Sequence, residues 1–391
     1  MRTTLSTSHF PLCRPALIIA GTMILCLLAL ASCNQASEAD EFTIPVYSPK
    51  YASGFEILGA EGRQSTIIVT KNPWQAADSS FVTRIFIARN GESAPEGFDG
   101  QIVSGNASRI VCMSSSYVAM LDAFGEVQRV VGVSGINFVS CNYVQAHRNS
   151  IGDIGFDGNL DYELLISLSP DIVLLYGVNG ASGMEPKLKE LGIPFAYIGE
   201  YLEQSPLGKA EWMVAVGDIA GERQKAIARY NEIPRHYNEL KASVSKGKRP
   251  KVMINTPYGD SWVMASTTSY VAQLISDAGG EYVYSQNSSS QSMPIDMEQA
   301  YLLAAQSDVW INASNFATLA DLKKAYPKFA DTKPVASGNV WDNSLRATPL
   351  GGNDYWESGV VYPDKVLEDL ILIFHPEAAQ NGQFNYYRKL E

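Results

Sequence analysis

Histidine is scarce in this chain, with four in 391 residues. His9, His147, His236 and His375 share no metal-ligand spacing, which argues against a zinc centre. Cysteine is scarce too: Cys13, Cys26 and Cys33 fall near the start, and only Cys112 and Cys141 occupy the rest. Two cysteines make no disulfide framework, and they read either as one bridge in an oxidising compartment or as two buried thiols. Positive charge is also short, 30 Lys and Arg against 41 Asp and Glu, which argues against nucleic acid as a partner. No P-loop, nucleophile elbow or paired histidine and glutamate appears, so the sequence supports no catalysis and no cofactor. Two near misses do not qualify. Residues 152–158, GDIGFDG, have the wrong glycine spacing for a dinucleotide loop and follow a loop. Residues 157–163, DGNLDYE, have Tyr162 where a calcium loop needs glycine and no carboxylate at Leu168 to close it.

What the chain does have is a marked beginning. Arg2 and Arg14 precede an apolar run from Ala16 to Leu30, broken by Gly21 and Thr22, and the run ends in Leu30-Ala31-Ser32-Cys33. A basic start, a short apolar stretch and a small-residue site make an export signal, too short and too abruptly ended for a bilayer span. The segment resembles a bacterial lipobox, which implies that Cys33 is diacylated and becomes the mature amino terminus. Two chains on one cysteine give stable anchoring. The implied location is the cell envelope, a membrane-anchored lipoprotein facing the periplasm, with outer-membrane or surface display open. Residues 1–32 are thus a signal, and the small, acidic, aperiodic residues 33–45 a flexible tether. The remaining 359 residues exceed what one compact core usually holds, so two lobes are expected.

From Gly54 to Ile102 the pattern is β-rich, and STIIVTKNPW and FVTRIFIARN read as a hairpin packed on the first lobe. At Arg109 short apolar runs begin to alternate with amphipathic stretches, as in RIVCMSS, SSYVAMLDAFG and DIVLLYG. This alternation predicts a parallel sheet covered on both faces, an α/β lobe spanning 46–220 with the hairpin. The same grammar returns in KVMINTPYG, DMEQAYLLAAQ and DVWINASNF, a second α/β lobe over 247–391. Between them, residues 221–246 place Ala226, Tyr230, Ile233, Tyr237 and Leu240 at spacings of three and four, one apolar face of a long connecting helix. About 25 helical residues span ~37 Å, enough to run along both lobes. Pro234 removes a hydrogen bond inside that helix and predicts a bend.

A lipobox, an α/β lobe, one long connecting helix and a second α/β lobe resemble the substrate-binding proteins of iron-siderophore, haem and cobalamin ABC importers. NLDYELLISLSPDIVLLYG (159–177) is similar to a segment of that family's first lobe, with one extra residue between Leu160 and Glu163. GGNDYWESGVVYPDKVLEDLILIFHPE (351–377) resembles its closing segment. The resemblance implies a monomeric, non-enzymatic receptor that captures a ferric chelate, haem or cobalamin between its lobes and delivers it to an ABC permease. It also implies one surface glutamate per lobe that grips the permease, by position Glu163 and Glu357. An exported hydrolase or glycan-handling lipoprotein is the alternative.

Ligands of open α/β sheets bind beyond the carboxyl ends of the strands. Those ends carry Ser114, Ser115, Ser116, Asn137, Tyr176 and Tyr201 in the first lobe. In the second they carry Tyr258, Trp262, Asn315, Trp341 and Arg346. The serine run opens a helix whose free amides welcome an anion, the aromatics offer stacking area, and Arg346 can fork onto a carboxylate. Together they predict a cleft for a large, partly apolar ligand, with Tyr176, Tyr258, Trp262, Trp341 and Arg346 facing one another across it.

Overall fold

The computed structural model describes residues 41–75, 81–156, 158–244, 247–313, 316–378 and 382–391. The export signal, Cys33, most of the tether and Asn315 lie outside the described residues. Residues 42–94 and 99–391 form one unit; Pro95–Phe98 is a separate turn, closed by the Phe98 N–H on the Pro95 carbonyl at 3.1 Å. Among the described residues no helix is long and apolar enough to cross a membrane.

The expected hairpin is the centre of something larger. Strands β1 (Ile44–Tyr47), β2 (Phe55–Gly59), β3 (Thr66–Lys71), β4 (Val82–Ala88) and β5 (Gln101–Ser104) form one sheet in that order. The first three junctions are antiparallel, and β5 joins β4 in parallel. The hairpin reading found β3 and β4, whose Ile68 and Ile85 are register partners in the core. It missed the edges because β1 contains Pro45 and is mostly exposed, and β5 is four residues long. Two buried carboxylates fasten this sheet to the first lobe. Glu211 accepts the Tyr47 hydroxyl (2.8 Å) and the N–H groups of Lys50 (2.8 Å), Tyr51 (2.7 Å) and Ala52 (2.7 Å). Glu203 accepts the N–H groups of Ser53 and Gly54 (each 2.9 Å) and the Trp212 indole N–H (3.0 Å). Several donors on each carboxylate satisfy oxygens that burial would otherwise leave without hydrogen bonds.

The first lobe is the predicted parallel sheet. Its strands are β6 (Ile110–Cys112), β7 (Val130–Val133), β8 (Gly152–Asp153), β11 (Ile172–Leu175) and β12 (Phe195–Tyr197), in the order β12-β11-β6-β7-β8. A small antiparallel pair, β9 (Gly155–Phe156) and β10 (Asn159–Leu160), follows β8. The central strands β6 and β11 are buried along their whole length, as a sheet covered on both faces requires. Cys112, buried in β6, and half-buried Cys141 are free thiols, and burial pushes the Cys112 thiol well up.

The second lobe holds the parallel strands β13 (Lys251–Ile254), β15 (Glu281–Tyr282) and β17 (Val309–Ile311), ordered β15-β13-β17. Two antiparallel pairs complete it: β14 (Ser261–Met264) with β16 (Met293–Asp296), and β18 (Trp341–Asp342) with β19 (Arg388–Lys389).

The connecting helix runs from Arg223 to Ser243 and continues through Pro234. Ala226, Tyr230, Ile233 and Tyr237 are its buried stripe, the face its periodicity predicted. Its two halves are pinned to different lobes. On the amino-terminal side of Pro234, the Tyr230 hydroxyl donates to the Leu207 carbonyl of the first lobe at 3.1 Å. Beyond it, Tyr237 donates to Asp277 of the second lobe at 2.9 Å, and His236 Nδ1 lies 2.9 Å from Asp364.

Candidate functional site

Side chains knit the carboxyl edge of the first lobe together. Ser114 caps the helix Ser115–Ala123, and the Ser116 hydroxyl donates to Glu200 Oε1 at 2.7 Å, tying the end of β6 to the turn after β12. The other oxygen of Glu200 has no hydrogen-bond partner among the described residues, and burial pushes this carboxyl up. Beside it Lys209 is buried, its ammonium pushed down by that burial. Lys209 donates to the Glu200 carbonyl at 3.2 Å and lies 4.7 Å above the ring of Tyr270 in the second lobe. The Tyr201 hydroxyl, raised by burial to about 12, donates to the Gly177 carbonyl at the end of β11. Ser114, Ser115, Ser116, Tyr176 and Tyr201 therefore share one edge, while Asn137, beyond β7, is exposed and accepts from Arg148. The sequence reading missed Glu200 and Lys209, since nothing in their spacing marks a buried charge.

The second lobe overturns several expectations. Trp262 is 0% exposed and belongs to the core, not to a cleft. Its ring lies 5.3 Å from both Trp310 and Phe329, and its N–H donates to the Ile254 carbonyl at 2.8 Å. Alternation along β14 turns Trp262 inward and leaves Val263 outward. Trp341 packs on Phe384 with centroids 4.9 Å apart and gives its N–H to Asn339 at 2.8 Å, so both its face and its polar tip are engaged within its own lobe. Tyr258 is the opposite case, 82% exposed on a turn. The Arg346 guanidinium pairs with Asp354 at 2.8 Å and lies 5.6 Å from the Tyr386 ring, and the side chain remains half-exposed.

Glu357 is the largest departure. It was expected on the surface and is 1% exposed. Its Oε2 accepts the Ser140 N–H of the first lobe at 2.6 Å, which makes it part of the seam between lobes. Burial, with the nearby Asp354 and Asp122 carboxylates, pushes it up to about 8 against the opposing Ser140 N–H. A carboxyl with this environment is no docking charge.

A different carboxylate occupies in the second lobe the position that Glu163 holds in the first. Asp161 caps the helix Tyr162–Ser167 by accepting the Leu164 N–H at 2.8 Å, and Glu163 follows, exposed, in the first turn. Asp296 caps the helix Met297–Gln306 by accepting the Gln299 N–H at 2.7 Å, and Glu298 follows, exposed, in the first turn. Each helix leads into a parallel strand, β11 or β17, that pairs with the first strand of its lobe. The repeated Asp-x-Glu was legible in the sequence once the two lobes are aligned by their strands.

Among the openings lined by both lobes, two border the residues described above. One, of about 300 Å³, has Ser140, Cys141 and Tyr143 on one wall and Arg346, Asp354 and Glu357 on the other. The second, of about 510 Å³, is lined by Tyr201 and by Trp74 and Gln75 of the loop after β3, with Ser290 and Gln291 of the second lobe opposite.

The family model described as periplasmic binding protein matches residues 110–342. Two uncharacterized lipoproteins of Methanocaldococcus jannaschii are similar along most of their length. One is 27% identical over 75% of this chain and 71% of its own. The other is 25% identical over 79% and 80%. Solved structures share the fold. A periplasmic haem-binding protein of Pseudomonas aeruginosa, 19% identical, superposes with a TM-score of 0.55 over 73% of this chain and 98% of that one. A periplasmic vitamin B12-binding protein of Vibrio cholerae, 14% identical, gives 0.52 over 70% and 99%.

Proposed function

The chain belongs to the periplasmic binding protein family, and we propose that it is the lipid-anchored receptor of an ABC importer, holding a ferric chelate, haem or cobalamin between its lobes. The observation that carries this reading is the connecting helix, pinned by Tyr230 to one lobe and by Tyr237 to the other, with openings shared by both lobes beside it. Such a helix keeps two walls in register while permitting small changes in their separation, which suits capture and release and serves no bond-breaking step. Nothing favours the exported hydrolase.

Delivery to a permease is assigned to Glu163 and Glu298. The matched caps and first-turn positions support that pair, and the burial of Glu357 removes it. Anchoring is assigned to Cys33. The test of the receptor reading is titration of the purified protein with haemin, cyanocobalamin and ferric siderophores, followed by absorbance and calorimetry. Saturable binding of one class at one site per chain is expected, and failure to bind any of them would overturn it.

A further inference from the structure

The N-terminal sheet lies outside the matched residues 110–342, yet its loop after β3 reaches the carboxyl edge of the first lobe. The contact is built in. The Gln75 N–H donates to the Val178 carbonyl at 3.1 Å, just past the end of β11. Trp74 packs edge-on to Tyr197 of β12, centroids 5.4 Å apart, and a Cβ at Gly177 would come within 3.1 Å of its ring. Trp74 also packs on Phe81, centroids 4.8 Å apart, yet stays half-buried and lines the opening of about 510 Å³ with Ser290 and Gln291.

The polar character of that opening is specific. Glu203 lies in its wall with both oxygens taken by Ser53, Gly54 and Trp212. Lys71, its cation, already pairs with Glu56 at 3.2 Å. An anionic ligand would thus have to compete with Glu56 for Lys71, and Glu203 offers it no donor. By contrast, among the described residues no partner engages the Trp74 indole N–H or the side-chain amides of Gln75 and Gln291.

We propose that the Lys71–Gln75 loop of the N-terminal sheet forms part of the ligand site, and that the site takes a neutral ligand with one flat apolar face and an amide- or hydroxyl-bearing rim. The apolar face lies on Trp74, and the rim exchanges hydrogen bonds with Gln75, Ser290 and Gln291. A ligand bordered by carboxylates is disfavoured. This rests on the receptor reading above and narrows it.

The test uses the detergent-solubilised full-length chain and three probes of different rim chemistry: cyanocobalamin (amides), ferrichrome (a neutral hydroxamate on a peptide ring) and haemin (carboxylates). One of the two neutral probes is expected to bind at least tenfold more tightly than haemin. Trp74→Ala should weaken that binding at least tenfold, and Trp74→Phe should recover most of it. Because Trp74 also packs on Tyr197, the exposed Gln75→Ala and Gln291→Ala variants provide an independent reading and should each weaken binding several-fold with unchanged melting temperature. Tighter binding of haemin, or wild-type affinity in both glutamine variants, would overturn the proposal while leaving the receptor reading intact. A wild-type protein that binds none of the probes would overturn both.

Discussion

The Glu357 carboxylate of the second lobe accepts the backbone N–H of Ser140 in the first at 2.6 Å, a part-buried hydrogen bond across the seam between lobes. Burial raises this carboxyl from 4.5 to about 8. Between those values the folded protein retains a proton that the unfolded chain has released. Stability therefore falls as pH rises from about 4.5 toward 8 and levels off above, by an amount on the order of a few kcal/mol. Glu357→Gln keeps an acceptor for Ser140 and removes the titration. Its melting temperature should match wild type near pH 5 and exceed it at pH 8, and parallel curves across that range would contradict this account.

Trp262 gives a test of burial against binding. Its ring is enclosed by Trp310 and Phe329 and its N–H is satisfied. Trp262→Ala should cost about 3–5 kcal/mol in urea unfolding. Ligand affinity of the folded fraction should not change, and a selective loss of affinity without loss of stability would return Trp262 to the cleft.

Glu163→Lys and Glu298→Lys should each reduce association with the permease at least tenfold, most clearly at low salt, with ligand affinity unaltered. Glu357→Gln should leave that association alone. Normal pull-down of the permease by both lysine variants would show that these carboxylates do not dock.

Cys33→Ser removes the acyl acceptor. The variant should leave the membrane fraction and appear in the soluble envelope fraction, still folded by circular dichroism. Unchanged membrane association would show that another segment anchors the protein.

Much of the architecture was legible in the sequence because periodicity reports burial directly. Ala226, Tyr230, Ile233 and Tyr237 announced the connecting helix, and the continuous apolar runs at Ile110–Cys112 and Ile172–Leu175 announced strands covered on both faces. Site chemistry was harder to see. A tryptophan near a strand end reads the same whether it turns inward, as Trp262 does, or stands at an opening, as Trp74 does. Glu357 and Glu298 are alike as letters, and tertiary packing alone buries the first under Ser140 and leaves the second in solvent. The edge strands β1 and β5 carry too few apolar residues to declare themselves, since their pairing is decided by neighbours far along the chain.

The grip of Glu211 on residues 47–52 has a mechanical side. Any pull transmitted along the chain ahead of Ile44 first loads β1 against β2, and the next resistance it meets is the cluster of four hydrogen bonds on that one carboxylate. Tension applied ahead of Ile44 therefore meets the sheet and the Glu211 clasp before it reaches the seam where the two lobes meet.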